Sequence, residues 1–286
     1  EITFNASLKN AKADEPYSLL ARITQNGHEV KEFKSPSFKT KQQFSFTEKW
    51  QPEKLWDIHT PQNMYELHLS LLDGKSNVLD EFYPVRFGFR EFRIDGRDFF
   101  LNGSRIFLSA LPLDNAQVGA AAATYEAAKE SFKRLGTFGI NFMYTHNYGC
   151  EPGAHLSFSE ILRAADDFGM LVALSMPHFS HYDWDAPDAD QNNGYARLAD
   201  FYAHVAQNHP SVVMYSTSHN ATGYGEDMNP DMIDGIQDKR DRWAVNNMNK
   251  ALRAESIIKQ LDPSRIVYHH ASGNLGSMHA INFYPN

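Results

Sequence analysis

The sequence predicts a two-part chain: an antiparallel β-sandwich over residues 1–95, followed by parallel strands and helices over residues 96–286. Apolar residues alternate with a period of two before Asp95, which is typical of half-buried strands. After Asp95, short strands alternate with helical segments of period 3.6, which favours a parallel sheet. The length of 286 residues fits about two domains at roughly 150 residues each.

Short alternating runs mark the strands of the first part. In the run 64–71, Tyr65, Leu67, Leu69 and Leu71 share one strand face, which we expect to be buried. The other runs are 2–8, 17–24, 43–46 and 85–89. No helical period is sustained in this part, so we predict a small antiparallel sandwich.

Two dipeptides between these runs are hairpin signals. Asn26-Gly27 and Asp73-Gly74 both favour the positive φ that tight two-residue turns require. We therefore expect a hairpin at each of the two positions.

The second part begins with two strand-turn pairs, at 92–96 and 99–103. After them, predicted strands alternate with predicted helices. The predicted parallel strands are 105–110, 141–145, 171–176, 212–217, 265–268 and 280–284. The predicted helices are 124–135, 157–168, 194–207 and 247–261. This order predicts right-handed β-α-β crossovers and six parallel strands of a barrel. A closed eight-unit barrel typically needs about 250 residues, so two βα units are missing from the count.

Composition excludes several classes of protein. Hydrophobic residues make up 42% and charged residues 22% of the chain, which excludes a disordered protein. A formal charge of −8 disfavours nucleic acid as a partner. No apolar run approaches the roughly 20 residues of a membrane helix. The single cysteine, Cys150, forms no internal disulfide, and no phosphate-cradling glycine pattern is present, so we expect no cofactor.

Several motifs resemble one family of enzymes. The run Phe87-Gly-Phe-Arg-Glu-Phe92, then Asp95-Gly96 and Phe100-Leu-Asn-Gly103, resembles the junction between the immunoglobulin-like domain and the barrel in family 2 glycoside hydrolases. Further similar segments are 208–214, 262–265 and 282–284, which resemble the approaches to strands four and five and strand six of that barrel. The resemblance implies an immunoglobulin-like β-sandwich followed by a TIM (β/α)8 barrel, of which about six βα units are present. It also implies glycosidase chemistry at the C-terminal ends of the strands.

The sequence departs from the family pattern at three catalytic positions. Where the family has Asn-Glu at the end of strand four, this chain has His219-Asn220. An amide has no proton to donate near neutral pH, so Asn220 cannot replace the acid/base glutamate. The family's strand-two arginine is replaced by Tyr144, and its nucleophile would come from a strand beyond Asn286.

Two residues are therefore candidates for the missing catalytic role. The turn Gly223-Tyr-Gly225 would let Glu226 fold back over the strand ends as a substitute acid, and His219 is the second candidate because it follows strand four. The alternative is that Glu226 is an ordinary solvated loop charge.

Polar and aromatic residues at neighbouring strand ends form the predicted binding site. Imidazoles and amides hydrogen-bond sugar hydroxyls, and aromatic faces pack on pyranose rings. The candidates are His146, Asn147, His178, Trp184, Asn220, His269 and Tyr284. The alternative for a histidine is a partly buried ring with satisfied hydrogen bonds, and for an aromatic it is ordinary packing. Histidine spacing typical of metal ligands is lacking apart from His178-x-x-His181, so no metal is expected.

Two functions remain open at this stage. The first is a glycoside hydrolase acting on a plant or algal oligo- or polysaccharide; the second is a catalytically inactive carbohydrate-binding or structural relative. We expect a carbohydrate as partner, and further chain or a second copy of the protein to complete the barrel. We also expect a secreted or periplasmic location, with a cytoplasmic one left open.

Overall fold

The structure, a computed structural model, divides into two compact units, Glu1–Arg90 and Glu91–Asn286. It describes residues 1–12, 14–39, 43–114, 124–146, 158–217 and 242–270, together with 275, 278 and 280. The sequence placed the domain boundary after residue 95, whereas in the structure the strand Phe92–Asp95 pairs with strands of the second unit.

The first unit is an antiparallel sandwich, as predicted. Its strands are β1 (Ile2–Ser7), β2 (Pro16–Gln25), β3 (His28–Lys34), β4 (Phe38–Lys39), β5 (Gln43–Glu48), β6 (Tyr65–Asp73), β7 (Val78–Glu81) and β8 (Val85–Phe87). One sheet pairs β1 with β5; the other has the order β3-β2-β6-β7, with β4 beside β2 and β8 beside β6. Side chains from both sheets share one core, which is what the alternating pattern requires.

The two predicted turns of this unit differ. Asn26 and Gly27 have φ of 52° and 78°, so the β2–β3 hairpin has the predicted positive-φ turn. In the β6–β7 loop the positive φ of 67° falls on Ser76 instead of Gly74. A Cβ on Gly74 would lie 2.6 Å from Pro16 Cγ, so glycine is needed there for close approach, not for its dihedral freedom.

The second unit begins with a three-stranded antiparallel sheet and continues as a parallel sheet with helices. Its strands are β9 (Phe92–Asp95), β10 (Asp98–Leu101), β11 (Ser104–Ile106), β12 (Ala110–Asp114), β13 (Phe142–His146), β14 (Leu171–Ser175), β15 (Val212–Thr217) and β16 (Ile266–His269). Its helices are α1 (Tyr125–Thr137), α2 (Phe158–Phe168), α3 (Ala189–Asn192), α4 (Tyr195–Ala206) and α5 (Arg242–Leu261). The parallel strands lie in the order β12-β13-β14-β15-β16, which is the predicted succession of βα units of a partial barrel.

The first parallel strand begins later than predicted. Residues 104–106 pair antiparallel with β10, so the predicted strand at 105–110 is divided between β11 and β12. Of the predicted sixth strand, 280–284, only Ala280 belongs to the described residues.

A buried ion pair fixes the amino-terminal ends of β15 and β16. The Arg265 guanidinium donates to Asp262 Oδ2 at 2.5 Å and to the carbonyl oxygen of Val212 at 2.9 Å. Tyr215 Oη donates to the same Asp262 oxygen at 2.8 Å. Burial raises the pKa of Asp262, but the Arg265 charge and the hydrogen bonds outweigh it and lower that pKa to about 2.

The helices pack on one face of the parallel sheet. Their apolar residues join those of alternate strand positions, such as Met143, Val172 and Val267, in one buried cluster. Thr124 caps α1, where its Oγ1 accepts from the amide of Ala127 at 3.2 Å. No helix in the described ranges combines the length and the apolar character that crossing a membrane requires.

Candidate active site

The C-terminal ends of β13, β14, β15 and β16 lie at one edge of the parallel sheet, where the sequence places the functional residues. Five of the predicted site residues lie outside the described part of the chain: Asn147, His219, Asn220, Glu226 and Tyr284. For His146 the structure describes the backbone, which ends β13. Their roles stay predictions, and the geometry of the site is therefore built from the neighbouring described residues.

His269, at the end of β16, is part of a buried polar network. Its side chain is fully enclosed, with Nδ1 2.8 Å from Thr217 Oγ1 and Nε2 2.7 Å from Glu255 Oε2 on α5. Both ring nitrogens are thus hydrogen-bonded within the chain. This burial does not favour the predicted sugar contact of His269, which stays a prediction.

Glu255 connects helix α5 to the ends of β15 and β16. Its carboxylate also forms an ion pair with Lys259, one turn further along the helix. Burial raises the pKa of Glu255, but the hydrogen bonds from His269 and Lys259 outweigh burial and hold that pKa below its ordinary value. The carboxylate is therefore ionised at neutral pH and orients the His269 ring from behind the sheet.

His178 follows β14 and organises the loop there. Its Nδ1 accepts from the amide of Ser180 at 3.3 Å, which caps the short 3₁₀ helix Phe179–His181. Its ring also lies flat on the Phe179 ring, with centroids 5.3 Å apart. The side chain is half-buried, so a sugar contact by His178 is compatible with its position but stays a prediction.

Trp184 lies in the core. It is 2% exposed, and its Nε1 donates to the carbonyl oxygen of Phe179 at 2.7 Å. The guanidinium of Arg253 stacks over its indole at 5.1 Å and donates to the carbonyl oxygen of Trp184. These contacts are those of a residue that packs in the core. They do not favour the predicted role of Trp184 as an aromatic face for a sugar ring.

The opposite face of the sheet carries an aromatic cluster at the same edge. Tyr144, Tyr268 and His270 form this cluster, with the His270 ring centroid 5.3 Å from that of Tyr144 and 6.4 Å from that of Tyr268. Tyr268 also hydrogen-bonds the side chain of Ser216, and its burial raises its pKa, so the phenol stays protonated. The predicted site list omits Tyr144, Tyr268 and His270.

The alternation of side chains along a strand is the sequence feature that could have indicated this cluster. Val267 is buried against the helices, so a period of two places His269 on the helix side and Tyr268 and His270 on the other face. The hydrophobicity of the sequence alone could not show which of the two histidines, His269 or His270, faces the site.

No group of three or more potential metal-ligating His, Cys, Asp or Glu side chains occurs within the described ranges. On the face opposite the helices, the described groups at this edge are the phenols of Tyr144 and Tyr268, the hydroxyl of Ser216 and the imidazole of His270. Such groups bind and orient hydroxylated ligands by hydrogen bonds and ring packing.

Comparisons with known proteins support the resemblance to family 2 glycoside hydrolases that the sequence motifs indicate. The sequence model of the glycosyl hydrolases family 2 matches residues 1–90. A β-galactosidase of Thermoanaerobacterium thermosulfurigenes is 28% identical over 250 residues, which are 84% of this chain and 29% of that protein. The chain is thus similar to the family 2 glycoside hydrolases over its first 90 residues and to a β-galactosidase over most of its length.

Two β-glucuronidases are also similar to this chain. A β-glucuronidase of Paenibacillus borealis is 25% identical over 177 residues, covering 58% of this chain and 28% of that protein. The crystal structure of Bacteroides uniformis β-glucuronidase superposes with a TM-score of 0.68 at 22% identity and covers 94% of this chain and 31% of that one. This likeness confirms the fold class, an immunoglobulin-like sandwich followed by a partial barrel. The chain spans less than a third of the length of each of these relatives.

Proposed function

We propose that the full-length protein is a glycosidase that hydrolyses the O-glycosidic bond of a β-glycoside, such as a β-galactoside or a β-glucuronide. The observation that carries the proposal is the sequence similarity to a β-galactosidase, which extends over 84% of the chain. It is supported by the parallel sheet, whose C-terminal strand ends are the edge at which barrel enzymes hold their substrates.

Within this proposal Glu226 is the proton donor, and His219, which follows strand four in the sequence, is the second catalytic candidate. Glycoside hydrolysis requires a carboxylic acid that protonates the leaving oxygen while the bond from that oxygen to the anomeric carbon breaks. Water then supplies a hydroxyl group to the anomeric carbon and returns a proton to the carboxylate. Asn220 can hold a substrate hydroxyl but cannot cycle between acid and base.

The substrate-binding groups proposed around this donor are His146, Asn147, His178, Trp184, Asn220, His269 and Tyr284. Among them, the half-buried His178 has the described geometry that best suits contact with a ligand, because it lies directly after β14 at the functional edge. The buried positions of Trp184 and His269 make them the weakest members of the set.

The test of Glu226 uses the full-length protein and two aryl β-galactosides that differ in leaving group. With Glu226→Gln, turnover of the phenyl galactoside should fall by about 10²–10⁴-fold, the usual contribution of general acid catalysis. Turnover of the dinitrophenyl galactoside should fall much less, because its leaving group departs without a proton. The control is Glu130→Gln, which removes an exposed carboxylate paired with Arg134 on α1.

The two leaving groups distinguish the possible outcomes. An equal loss on both substrates would show that Glu226 acts on folding or binding and not as the proton donor. Unchanged rates on both would place the donor elsewhere in the protein.

The inactive relative remains a second candidate because His219-Asn220 occupies the position where the family has Asn-Glu. Calorimetry with methyl β-D-galactopyranoside and methyl β-D-glucopyranosiduronate decides between the two functions. Binding of either methyl glycoside without turnover of an aryl β-galactoside or an aryl β-glucuronide would support the inactive carbohydrate-binding protein. Turnover would exclude it.

The natural substrate is proposed to be a plant or algal oligo- or polysaccharide fragment, in agreement with the polar and aromatic strand ends. A polymer of that kind is met outside the cytoplasm, so the proposal includes a secreted or periplasmic location. Hydrolysis of a panel of plant, algal and mammalian glycans tests the source of the substrate, and fractionation of producing cells tests the location.

A further inference from the structure

Two aromatic side chains meet across strands that are not neighbours in the sheet. Strands β14 and β15 lie between β13, which carries Tyr144, and β16, which His270 follows. Three steps of about 4.8 Å separate β13 and β16 along a flat sheet, or roughly 14 Å. The ring centroids of Tyr144 and His270 nevertheless lie only 5.3 Å apart. The sheet is therefore concave on the face that carries these two side chains, and their rings meet there.

The concave face is opposite to the helices. Met143 and Val267, which neighbour Tyr144 and Tyr268 in sequence, are both buried against the helical layer. The His269 side chain lies on the same side as Val267, since its Nε2 is 2.7 Å from Glu255 Oε2 of α5 and its Nδ1 is 2.8 Å from Thr217 Oγ1. The position of His270 is fixed by its amide, which donates to the carbonyl oxygen of Thr217 at 2.9 Å. Consequently the two successive histidines have opposite environments.

The charge of this region limits the ligand it can hold. The five parallel strands read ALPLD, FMYTH, LVALS, VVMYST and IVYH, and they contain neither lysine nor arginine. A uronate carboxylate held against these strands would meet no permanent cation from them. A neutral sugar needs only hydroxyl partners and an aromatic face, which a phenol and an imidazole supply.

We propose that Tyr144 and His270 form one wall of the sugar-binding site on the concave face, and that the site takes a neutral β-hexoside in preference to a β-uronide. Within this assignment His270 replaces His269, a weak member of the set proposed above, as the imidazole that contacts the sugar. The inference rests on the proposed function, which it makes more specific.

The first experiment uses the unmutated full-length protein, with its histidines labelled and observed by NMR. Addition of methyl β-D-galactopyranoside should shift the imidazole signals of His270 and leave those of the enclosed His269 in place. Calorimetry on the same sample should give at least tenfold tighter binding for this galactoside than for methyl β-D-glucopyranosiduronate.

The second experiment compares variants by calorimetry with the same galactoside. His270→Ala and Tyr144→Ala should each weaken binding at least tenfold, and His270→Gln, which keeps a hydrogen-bond donor, should recover part of the loss. The matched control is His204→Ala, an exposed histidine on α4 whose Nδ1 lies 2.9 Å from the Asp200 carbonyl oxygen, and it should bind as the unmutated protein does. Near-UV circular dichroism establishes that each variant is folded.

The outcomes separate this inference from the proposed function. Galactoside binding that leaves the His270 signals and the affinity of His270→Ala unchanged would overturn the assignment and leave the glycosidase standing. Tighter binding of the uronide would overturn the preference for a neutral sugar. Absence of binding and turnover with both glycosides would overturn the proposed function, and this inference with it.

Discussion

At the scale of single residues, the buried charges of the described chain serve structure. The ion pair of Arg265 and Asp262 fixes the amino-terminal ends of β15 and β16. The hydrogen bond between His269 and Glu255 attaches the carboxyl-terminal end of β16 to α5. Each charge has a partner and further hydrogen bonds, as buried ions require. Their effect is to fix the strands whose C-terminal ends form the proposed site.

Asp262 should make folding stability depend on acid pH. Its pKa is lowered from 3.8 to about 2, so its carboxylate stabilises the folded chain above the ordinary pKa, and this contribution is lost as the pH falls towards 2. The shift corresponds to about 2 kcal/mol. Asp262→Asn, which also leaves Arg265 without its partner, should cost about 3 kcal/mol at pH 7 and progressively less below pH 4. Urea denaturation at several pH values measures the difference.

The control for Asp262 is Asp95→Asn. Asp95 is exposed and pairs with Arg93 at 3.0 Å, so its loss should change stability by less than about 1 kcal/mol. A loss for Asp262→Asn that stays constant from pH 7 to pH 3 would contradict the assigned shift.

At the scale of elements, the packing of α1 on α2 depends on one glycine. A Cβ on Gly136 would lie 2.8 Å from Phe168 Cζ at the end of α2, and Phe168 packs against Phe132 with ring centroids 6.3 Å apart. The backbone of Gly136 is helical, where alanine is intrinsically favoured by about 1 kcal/mol. Helix propensity and side-chain contact thus act in opposite directions.

A double-mutant cycle separates these two effects. Gly136→Ala should lower the free energy of unfolding by about 1 kcal/mol in the unmutated chain, because Phe168 must leave its place. In a Phe168→Ala background the same change should raise it by about 0.5–1 kcal/mol. Equal effects of Gly136→Ala in both backgrounds, measured by thermal unfolding, would show that the contact does not limit the packing.

At the scale of the whole molecule, the two compact units have separate cores. The ten buried residues that form the first core lie from Phe4 to Phe87, within the unit Glu1–Arg90. This unit is also the segment matched by the family 2 sequence model. We therefore expect residues 1–90 to contain the information for a fold of their own.

Residues 1–90, expressed alone, should fold and unfold cooperatively, with the circular dichroism of a β protein. Ile23→Ala removes a side chain that is fully buried in this core and should cost about 3 kcal/mol. Val30→Ala, at a position 44% exposed, is the matched control and should cost less than about 1 kcal/mol. An unfolded NMR spectrum of the isolated segment would show that its core needs residues of the second unit.

The sequence by itself determined the features that depend on near neighbours along the chain. The period-two run of β6 and the Asn26-Gly27 turn are set by backbone geometry within a few residues, and the structure confirms both of them. The succession of parallel strands and helices follows from the same local patterns.

Only the tertiary structure decided which side chains meet. Tyr144 lies on β13 and His270 directly follows β16, and these strands are distant in sequence and not adjacent in the sheet, so the contact depends on strand register and on the curvature of the sheet. His269 and His270 are chemically identical in the sequence, yet one is enclosed by Thr217 and Glu255 and the other faces the concavity. The reason is that a strand turns successive side chains to opposite faces, and only the packed helices show which face is buried.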